Sequence, residues 1–204
     1  MIIEQSRLNN NKKFTKTLEE LEKCGFIRSY IPFGDTQRDI LFQLTDAFTQ
    51  FHFHYIKENK YQDETFWTNS LNSGKYRAWS GYACEILCLN HIRQIKQALG
   101  ISGIQCRACC WSSKGDDSHK GAQIDLIIDR ADQTVNICEM KFSRSDYEIT
   151  KSEAEDLDNK LEIFLRQTNT RKSLMLTMIT SFGIKPGNYS GRVQVQVTLE
   201  DLFK

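Results

Sequence analysis

The chain has 204 residues, 40% of them hydrophobic, which is enough to bury one ordinary core and a smaller second one. Lysine and arginine number 27 against 26 acidic residues, so the chain has no general basic field of the kind that attracts nucleic acid. It also has no apolar run near the length of a membrane span and no signal-peptide pattern at its start. With seven cysteines, an odd number typical of reduced thiols, we expect a cytoplasmic protein without a membrane partner.

Residues 1–60 predict a small N-terminal domain, a partial winged helix followed by an aromatic helix. The predicted elements are a helix over 14–24 ended by Gly25, strands over 26–31 and 39–44, and a helix from Thr45 or Asp46 to Ile56. A helix followed by a two-stranded ribbon is the second half of a winged helix-turn-helix. That arrangement suits a segment that reads DNA. The alternative is a rigid spacer whose aromatic helix packs against the domain that follows or against a further domain.

Four lysines surround the first predicted helix: Lys12, Lys13, Lys16 and Lys23. If this helix reads DNA, they are candidates for contacts with phosphates. The alternative is an ordinary solvated helix face. The near-neutral charge of the chain predicts weak DNA binding by this segment.

Residues 61–204 predict a second, larger domain, reached through the polar stretch 57–76. Its first element is a helix from Trp79 to Gly100 with apolar residues at helical spacing. Glu85 lies in the early turns of this helix among apolar neighbours, where a carboxylate is an unusual choice for packing alone. Glu85 is therefore a candidate site residue. The alternative is an acid placed near a helix N-terminus because the macrodipole favours it.

Two later strands, over 121–130 and 135–143, carry the residues best suited to chemistry. The polar turn between them has hairpin length, so we expect antiparallel neighbours. Side chains alternate along a strand, so Glu139 and Lys141 share one face, and Asp125 can lie beside them. Two carboxylates and an ammonium on one patch suit Mg²⁺ or Mn²⁺ and an anionic substrate.

The alternative is that these three side chains are ordinary solvated strand residues. Both strands are rich in isoleucine, leucine and valine, as expected of central, covered strands. An ionisable side chain in such a strand is costly unless it has a partner or a metal ion. The sequence therefore favours a clustered site.

The other predicted elements complete an α/β pattern. They are a strand over 104–111 before the pair, then a helix over 146–168, a strand over 174–180 and an edge strand over 193–197. Arg144 and Lys151 are candidate nucleic-acid contacts, and together with Lys160 they are candidates to flank the acidic site.

The acid on one strand and the Glu-x-Lys on the next resemble the core of the PD-(D/E)XK nuclease superfamily, with Ile124 where the nominal motif has proline. The resemblance implies a restriction-endonuclease-like fold, a mixed sheet flanked by helices, and hydrolysis of DNA phosphodiesters. It implies that Asp125 and Glu139 hold the metal and that Glu85, from the first core helix, completes the site. Lys141 would activate the attacking water and stabilise charge on the phosphorane.

A broader resemblance covers nearly the whole chain. It is carried by Leu18–Ile27, Leu44–Phe48, Trp79-x-Gly81, Gly121–Asp125 and Cys138–Phe142. These segments are similar to the C-terminal half of archaeal-ATPase-type bacterial and archaeal proteins. In those, an AAA-type or STAND-like ATPase precedes a winged helix and a PD-(D/E)XK nuclease-like domain. The resemblance implies that an ATPase domain or a separate ATPase subunit is a partner, and we expect the chain to be part of a longer ATPase or split from one.

The sequence contains no G-x-x-x-x-G-K-[ST] motif, so we expect no ATP site in this chain. Three readings stay open. The leading one is a Mg²⁺-dependent endonuclease. The others are a non-catalytic DNA-binding or regulatory module that keeps the nuclease fold, and a protein-interaction domain that docks an ATPase. The form of the substrate and the oligomeric state do not follow from the sequence.

Overall fold

The computed structural model describes residues 12–35, 40–60, 63–71, 73–115 and 120–204. The chain is a mixed α/β protein that divides into two compact units. Of the described residues, those up to Tyr30 and from Ile40 to Ser73 form the first unit, and residues 31–35 and those from Gly74 to Lys204 form the second. Among the described helices, none combines the length and the apolar character needed to cross a bilayer.

The first unit has short helices and a two-stranded ribbon. Its elements are α1 (Lys12–Lys23), β1 (Ile27–Tyr30), β2 (Leu41–Leu44), α2 (Ala47–Phe51), a π-helical turn (His52–Ile56) and α3 (Phe66–Ser70). The two strands are antiparallel, with Ile27 opposite Leu44. Gly25 has a φ of 77°, which is the left-handed conformation expected of a glycine that follows the end of a helix.

One of the two predicted caps of the aromatic helix is confirmed, and the helix departs from the prediction further on. The carboxylate of Asp46 accepts a hydrogen bond from the backbone N of Thr49 at 2.6 Å, so Asp46 is the cap. The α-helix ends at Phe51 and is followed by the π-helical turn from His52 to Ile56, whereas one continuous helix was predicted. The turn predicted between the two strands includes residues 36–39, which lie outside the described residues.

The second unit is a five-stranded mixed sheet flanked by helices. Its elements are α4 (Gly74–Asn90), α5 (Ile92–Ala98), β3 (Cys106–Gly115), β4 (Lys120–Arg130), β5 (Thr134–Lys141), α6 (Lys151–Thr168), β6 (Ser173–Thr180), β7 (Val195–Thr198) and two 3₁₀ turns (Ser190–Arg192 and Leu199–Phe203). The strand order is β3-β4-β5-β6-β7. The first three strands are antiparallel neighbours, and the last three are parallel. The mixed sheet with flanking helices is the architecture that the sequence predicted.

Two apolar layers cover this sheet. On one face, Phe164 of α6 belongs to a core that includes Ile137 of β5. On the other face, Cys88 of α4 and Ile95 of α5 belong to a core that includes Cys138 of β5. Consecutive residues of β5 thus enter opposite layers, as strand alternation predicted.

The helix predicted from Trp79 to Gly100 is two helices. It begins earlier, at Gly74, and breaks at His91, whose backbone has φ −115° and ψ 31°. The His91 ring lies 5.4 Å from the Phe203 ring, and its Nδ1 is 2.7 Å from the carbonyl O of Leu87. His91 thus contacts a ring distant in sequence and the preceding helical turn at the point where the helix breaks. The spacing of apolar residues in the sequence does not predict this break.

The helix predicted to start at Asp146 begins at Lys151. Thr150 and Glu153 form a capping box, which fixes the helix start. The preceding residues pair instead with a neighbouring segment, because Tyr147 forms a parallel bridge with Ile184. Hydrogen bonds to the backbone of a distant segment therefore replace the first predicted turn.

Candidate functional site

Asp125 lies at a β-bulge in β4. The single β3 residue Cys110 faces two β4 residues, Asp125 and Leu126, because the register shifts by one position there. Two register pairs flank the shift: Cys109 with Ile127, and Trp111 with Ile124. A bulge bends its strand and redirects a side chain. The position of Asp125 therefore depends on the pairing of β3 with β4, as well as on alternation along β4.

Glu139 and Lys141 lie on β5 beside this bulge. The last β4–β5 register pair is Leu126 with Cys138, and Asp125 and Glu139 follow immediately on their two strands. Glu139 Oε1 lies 3.0 Å from Lys141 Nζ. The predicted sharing of one face by Glu139 and Lys141 is confirmed by this ion pair.

A second lysine binds the same carboxylate. Lys160 Nζ, from α6, donates a hydrogen bond to Glu139 Oε2 at 2.6 Å. The Glu139 side chain is only 15% exposed, so both of its oxygens are paired with a cation away from most of the solvent. Charge-assisted hydrogen bonds of this kind are stronger than neutral ones.

Asp125, Glu139 and Lys141 line one cavity of about 360 Å³. Its polar lining also includes Lys120, Gln123, Tyr147, Glu153, Asp156, Asn159 and Lys160. Gln123 Nε2 donates a hydrogen bond of 2.5 Å to Asp125 Oδ1. We call this space the acidic cavity. It combines several carboxylates with three lysines, which suits an anionic group bound beside a cation.

Glu85 reaches the same electrostatic environment from α4. Burial raises the pKa of the Glu85 carboxyl to about 7, and the negative charges of Asp125 and Glu139 add to this effect. Lys141 and Lys160 oppose it. The four predicted site residues are therefore coupled by their charges, although Glu85 is not among the residues that line the acidic cavity. A carboxyl with a pKa near 7 can exchange a proton at neutral pH.

Lys141 remains a cation in this setting. Burial alone would lower the pKa of its ammonium, but Glu139 outweighs burial, and Glu153 and Glu85 contribute in the same direction. The net effect is a raised pKa. Lys141 is therefore charged at neutral pH and can donate hydrogen bonds to an anion.

Two residues that line the cavity, Tyr147 and Glu153, were not predicted from the sequence. The Tyr147 hydroxyl donates a hydrogen bond to Glu153 Oε1, and the backbone N of Thr150 donates to Glu153 Oε2 at 2.9 Å. Burial raises the pKa of the Tyr147 phenol, and its bond to Glu153 adds to the increase. The Thr-x-x-Glu spacing of the capping box was the signal that could have identified Glu153.

Other predicted nucleic-acid contacts lie elsewhere. The Arg144 guanidinium is 5.7 Å from the centre of the Tyr76 ring and lines a different groove. Lys151 lies 3.8 Å from Glu155 on the exposed side of α6 and lines a third depression. The four lysines of the first unit, Lys12, Lys13, Lys16 and Lys23, are all exposed on α1.

Metal ligands were predicted at Asp125, Glu139 and Glu85. Within the described part of the chain, no three or more His, Cys, Asp or Glu side chains form a group ready to hold a metal ion. The carboxylates are of the type that Mg²⁺ prefers, but Glu139 has both oxygens on lysines and Glu85 is held partly neutral by its surroundings. The donor chemistry thus fits a hard cation, and the arrangement differs from a preformed cage.

Comparisons with known proteins give no family for this chain. No protein-family model matches it, and no curated protein matches it. Among solved structures it is similar to the "Crystal Structure of Protein of Unknown Function AF1548", at 15% identity and a TM-score of 0.38. The match covers 57% of this chain and 64% of that one. A likeness this low carries no argument about function.

Proposed function

We propose that the second unit is a metal-dependent phosphodiesterase domain with a PD-(D/E)XK nuclease core that acts on DNA. One observation carries the proposal: Asp125, Glu139 and Lys141 line one cavity, and Glu85 is coupled to all three through its charge. An acid on one strand beside Glu-x-Lys on the next is the pattern from which the sequence predicted this chemistry.

The metal would be Mg²⁺ or Mn²⁺, held by Asp125 and Glu139 with Glu85 as a further ligand. Such an ion supplies Lewis-acid stabilisation of phosphate charge and acidifies a bound water. Its binding would compete with the contact between Lys160 and Glu139, and it would favour the ionised form of Glu85. Carboxylate oxygens at the site support this assignment.

The side chains of the chain itself have distinct roles in this proposal. Lys141 orients the attacking water and donates to the oxygens on which negative charge develops in the phosphorane. Lys160 and Lys120 attract the phosphodiester into the acidic cavity, because both line it. The pKa of about 7 belongs to Glu85 in the metal-free site, so Glu85 would release its proton when the ion binds.

The proposal extends to partners. The resemblance noted in the sequence supports an ATPase, either as a further domain or as a separate subunit, that works with this domain in the cytoplasm. The first unit would then contribute a partial winged helix that contacts either DNA or the ATPase. Its four exposed lysines on α1 support the DNA role.

Cleavage assays with purified protein test the proposal. Plasmid DNA and single-stranded DNA should be cut with Mg²⁺ or Mn²⁺, and EDTA should stop the reaction. Asp125→Ala and Glu139→Ala should abolish cutting because each removes a ligand. Glu155→Ala, a matched loss of an exposed carboxylate on α6, should leave the rate unchanged. Cutting that persists in Asp125→Ala would contradict this assignment.

Lys141→Ala separates metal binding from catalysis. We expect the variant to bind Mn²⁺ nearly as well as the native protein and to lose roughly 10²- to 10³-fold in single-turnover rate, the usual cost of one oxyanion donor. Lys185→Ala, an exposed lysine paired with Glu148, is the control. A Lys141→Ala protein that cuts at the native rate would remove Lys141 from the mechanism.

A second function is favoured by the ion pairs of Glu139. A carboxylate whose two oxygens both contact lysines is also what a non-catalytic module would have after losing its metal, and it could still serve in DNA binding or in docking an ATPase. Calorimetric titration distinguishes the two. Saturable Mn²⁺ binding that disappears in Asp125→Ala favours the nuclease, and no binding at millimolar Mn²⁺ favours the non-catalytic module.

A further inference from the structure

Lys160 holds an oxygen that a metal ion at Glu139 would need. Its Nζ donates a hydrogen bond of 2.6 Å to Glu139 Oε2, while Lys141 Nζ lies 3.0 Å from Oε1 of the same carboxylate. Two cations on one carboxylate oxygen repel each other, and the repulsion is stronger where water is scarce. The contact of Lys160 with Glu139 therefore opposes the binding of a cation to this carboxylate.

Leaving Glu139 is unfavourable for Lys160 unless another anion replaces the carboxylate. The Lys160 side chain is only 21% exposed, and a charge that loses its partner away from solvent is costly. Asp156 lies one helical turn earlier on α6 and lines the same cavity, but it is exposed, and an exposed pair of this spacing contributes little. A released Lys160 therefore needs an anion inside the acidic cavity.

A phosphodiester in the acidic cavity would supply that anion. Lys160 lines the cavity, and its bond to Glu139 uses one of the three N–H donors of the ammonium group. Phosphate oxygens accept charge-assisted hydrogen bonds, which are about as favourable as those to a carboxylate. Lys160 can thus exchange Glu139 for phosphate without losing an ionic partner, and Glu139 Oε2 then becomes available.

The position of Lys160 in the fold allows this exchange, whereas Lys141 is tied to Glu139. Lys141 and Glu139 are two residues apart on β5, so the strand itself keeps them together. Lys160 comes from α6, and a flexible four-carbon stem connects its ammonium to that helix. The helix is anchored by Leu157 and Phe164 in the core, so only the side chain has to move.

We propose that Lys160 exchanges Glu139 for the phosphodiester when the substrate enters the acidic cavity, so that the substrate and the metal ion strengthen each other's binding. This inference rests on the proposed function, because it assigns a means of regulation to the same site. Lys160 acts through Glu139 and is therefore a positioning residue. By linkage, the metal ion strengthens substrate binding by the same factor.

Calorimetric titrations with Mn²⁺ test this inference without any measurement of cleavage. The full chain is titrated alone and with a saturating short phosphorothioate oligothymidylate, which keeps the charge of each linkage and resists hydrolysis. The heat of Mn²⁺ binding to the oligomer alone is subtracted. The phosphate also attracts the cation directly, so the decisive quantity is a ratio: the oligomer should enhance Mn²⁺ affinity roughly 5- to 150-fold more in the native protein than in Lys160→Gln.

The sign of the effect without the oligomer distinguishes this role from a structural one. Lys160→Gln should bind Mn²⁺ more tightly than the native protein, because the competing cation is gone. A lysine that only holds α6 against the sheet predicts weaker binding, because its loss would disturb the site. Lys160→Arg keeps a cation that pairs with carboxylate or phosphate, so it should retain most of the native enhancement.

Lys172→Gln is the matched control. Lys172 lies 2.5 Å from Asp129 and is 24% exposed, so it forms an ion pair of similar burial outside the residues that line the acidic cavity. The substitution should leave the Mn²⁺ affinity unchanged with and without the oligomer. Circular dichroism establishes that each variant is folded.

An uncharged methylphosphonate oligothymidylate is a second probe that needs no variant. It should give the native protein no enhancement of Mn²⁺ affinity, because it offers Lys160 no anion. The same enhancement with the charged and the uncharged oligomer would overturn the inference, and this comparison decides the question even if Lys160→Gln does not fold.

The outcomes also separate this inference from the proposed function. Equal enhancement in the native protein and in Lys160→Gln, or weaker Mn²⁺ binding by a folded Lys160→Gln without the oligomer, would refute the role of Lys160 and leave the nuclease standing. No Mn²⁺ binding by either protein, with or without the oligomer, would refute the metal site and this inference with it.

Discussion

At the residue scale, the carboxylate of Glu139 organises the site. One of its oxygens contacts Lys141, two residues away on the same strand, and the other contacts Lys160 on α6. The first contact follows from strand alternation, so the sequence predicted it. The second depends on how α6 packs over the sheet, and the sequence identified Lys160 only as a flanking residue. Any cation that binds Glu139 must share or displace these contacts.

Glu85 gives a prediction about pH and stability. Its folded pKa is about 7, above the ordinary 4.5, so ionising Glu85 costs folding free energy. Below pH 4.5 the Glu85 carboxyl is protonated in both the folded and the unfolded chain. Glu85 then does not reduce the free energy of unfolding. As pH rises towards 7 the unfolded chain ionises first, so stability falls before it levels off above the folded pKa.

Glu85→Gln should remove this loss. We expect urea unfolding to give similar stabilities for the two proteins at pH 4.5 and a more stable variant at pH 8. Glu155→Gln, which replaces an exposed carboxylate of α6 by a carboxamide, is the control. Its stability should depend on pH as the stability of the native protein does. A native protein whose stability relative to Glu85→Gln stays constant from pH 4.5 to pH 8 would show that Glu85 titrates normally.

At the element scale, two irregularities determine where the site residues lie. The bulge in β4 sets the direction of the Asp125 side chain. The capping box fixes the residue at which α6 starts, and this start determines on which side of the helix Lys160 lies. The helical spacing of apolar residues had predicted that α6 starts at Asp146. The hydrogen bonds of Tyr147 with the backbone of Gly183 and Lys185 hold that segment out of the helix.

Thr150→Ala tests the capping box. The substitution removes a side-chain acceptor for the backbone N of Glu153, so we expect the free energy of unfolding to fall by about 0.5 to 2 kcal/mol. Urea denaturation measures the difference. Ser152→Ala, one position from Glu153 and exposed, should change the stability by less than about 0.5 kcal/mol. Equal losses in both variants would mean that the cap contributes nothing specific.

At the scale of the whole molecule, the acidic cavity belongs to the second unit, and the α1 lysines belong to the first. The second unit also includes residues 31–35, because the Phe33 ring lies 5.0 Å from the Phe164 ring in the core. Deleting the first 60 residues would therefore remove part of the second unit's core. Point substitutions are the better test of the first unit.

The four lysines Lys12, Lys13, Lys16 and Lys23 give a prediction about salt. If they contact phosphates, DNA affinity should fall steeply with salt, and replacing all four by glutamine should reduce the slope of log affinity against log salt by up to about 3.6. Anisotropy titrations with duplex DNA at salt concentrations from about 50 to about 200 mM measure this slope. An unchanged slope would assign the first unit to a role other than DNA contact.

The sequence by itself determined the class of the fold, the succession of strands and helices and the sharing of one face by Glu139 and Lys141. These features follow from periodicity and alternation, which are properties of a few consecutive residues. Only the tertiary structure decided the bulge at Asp125, the break at His91, the late start of α6, the contact of Lys160 with Glu139 and the raised pKa of Glu85. Each of these depends on register or packing between segments far apart in the chain, and local patterns carry no information about which distant group supplies the partner.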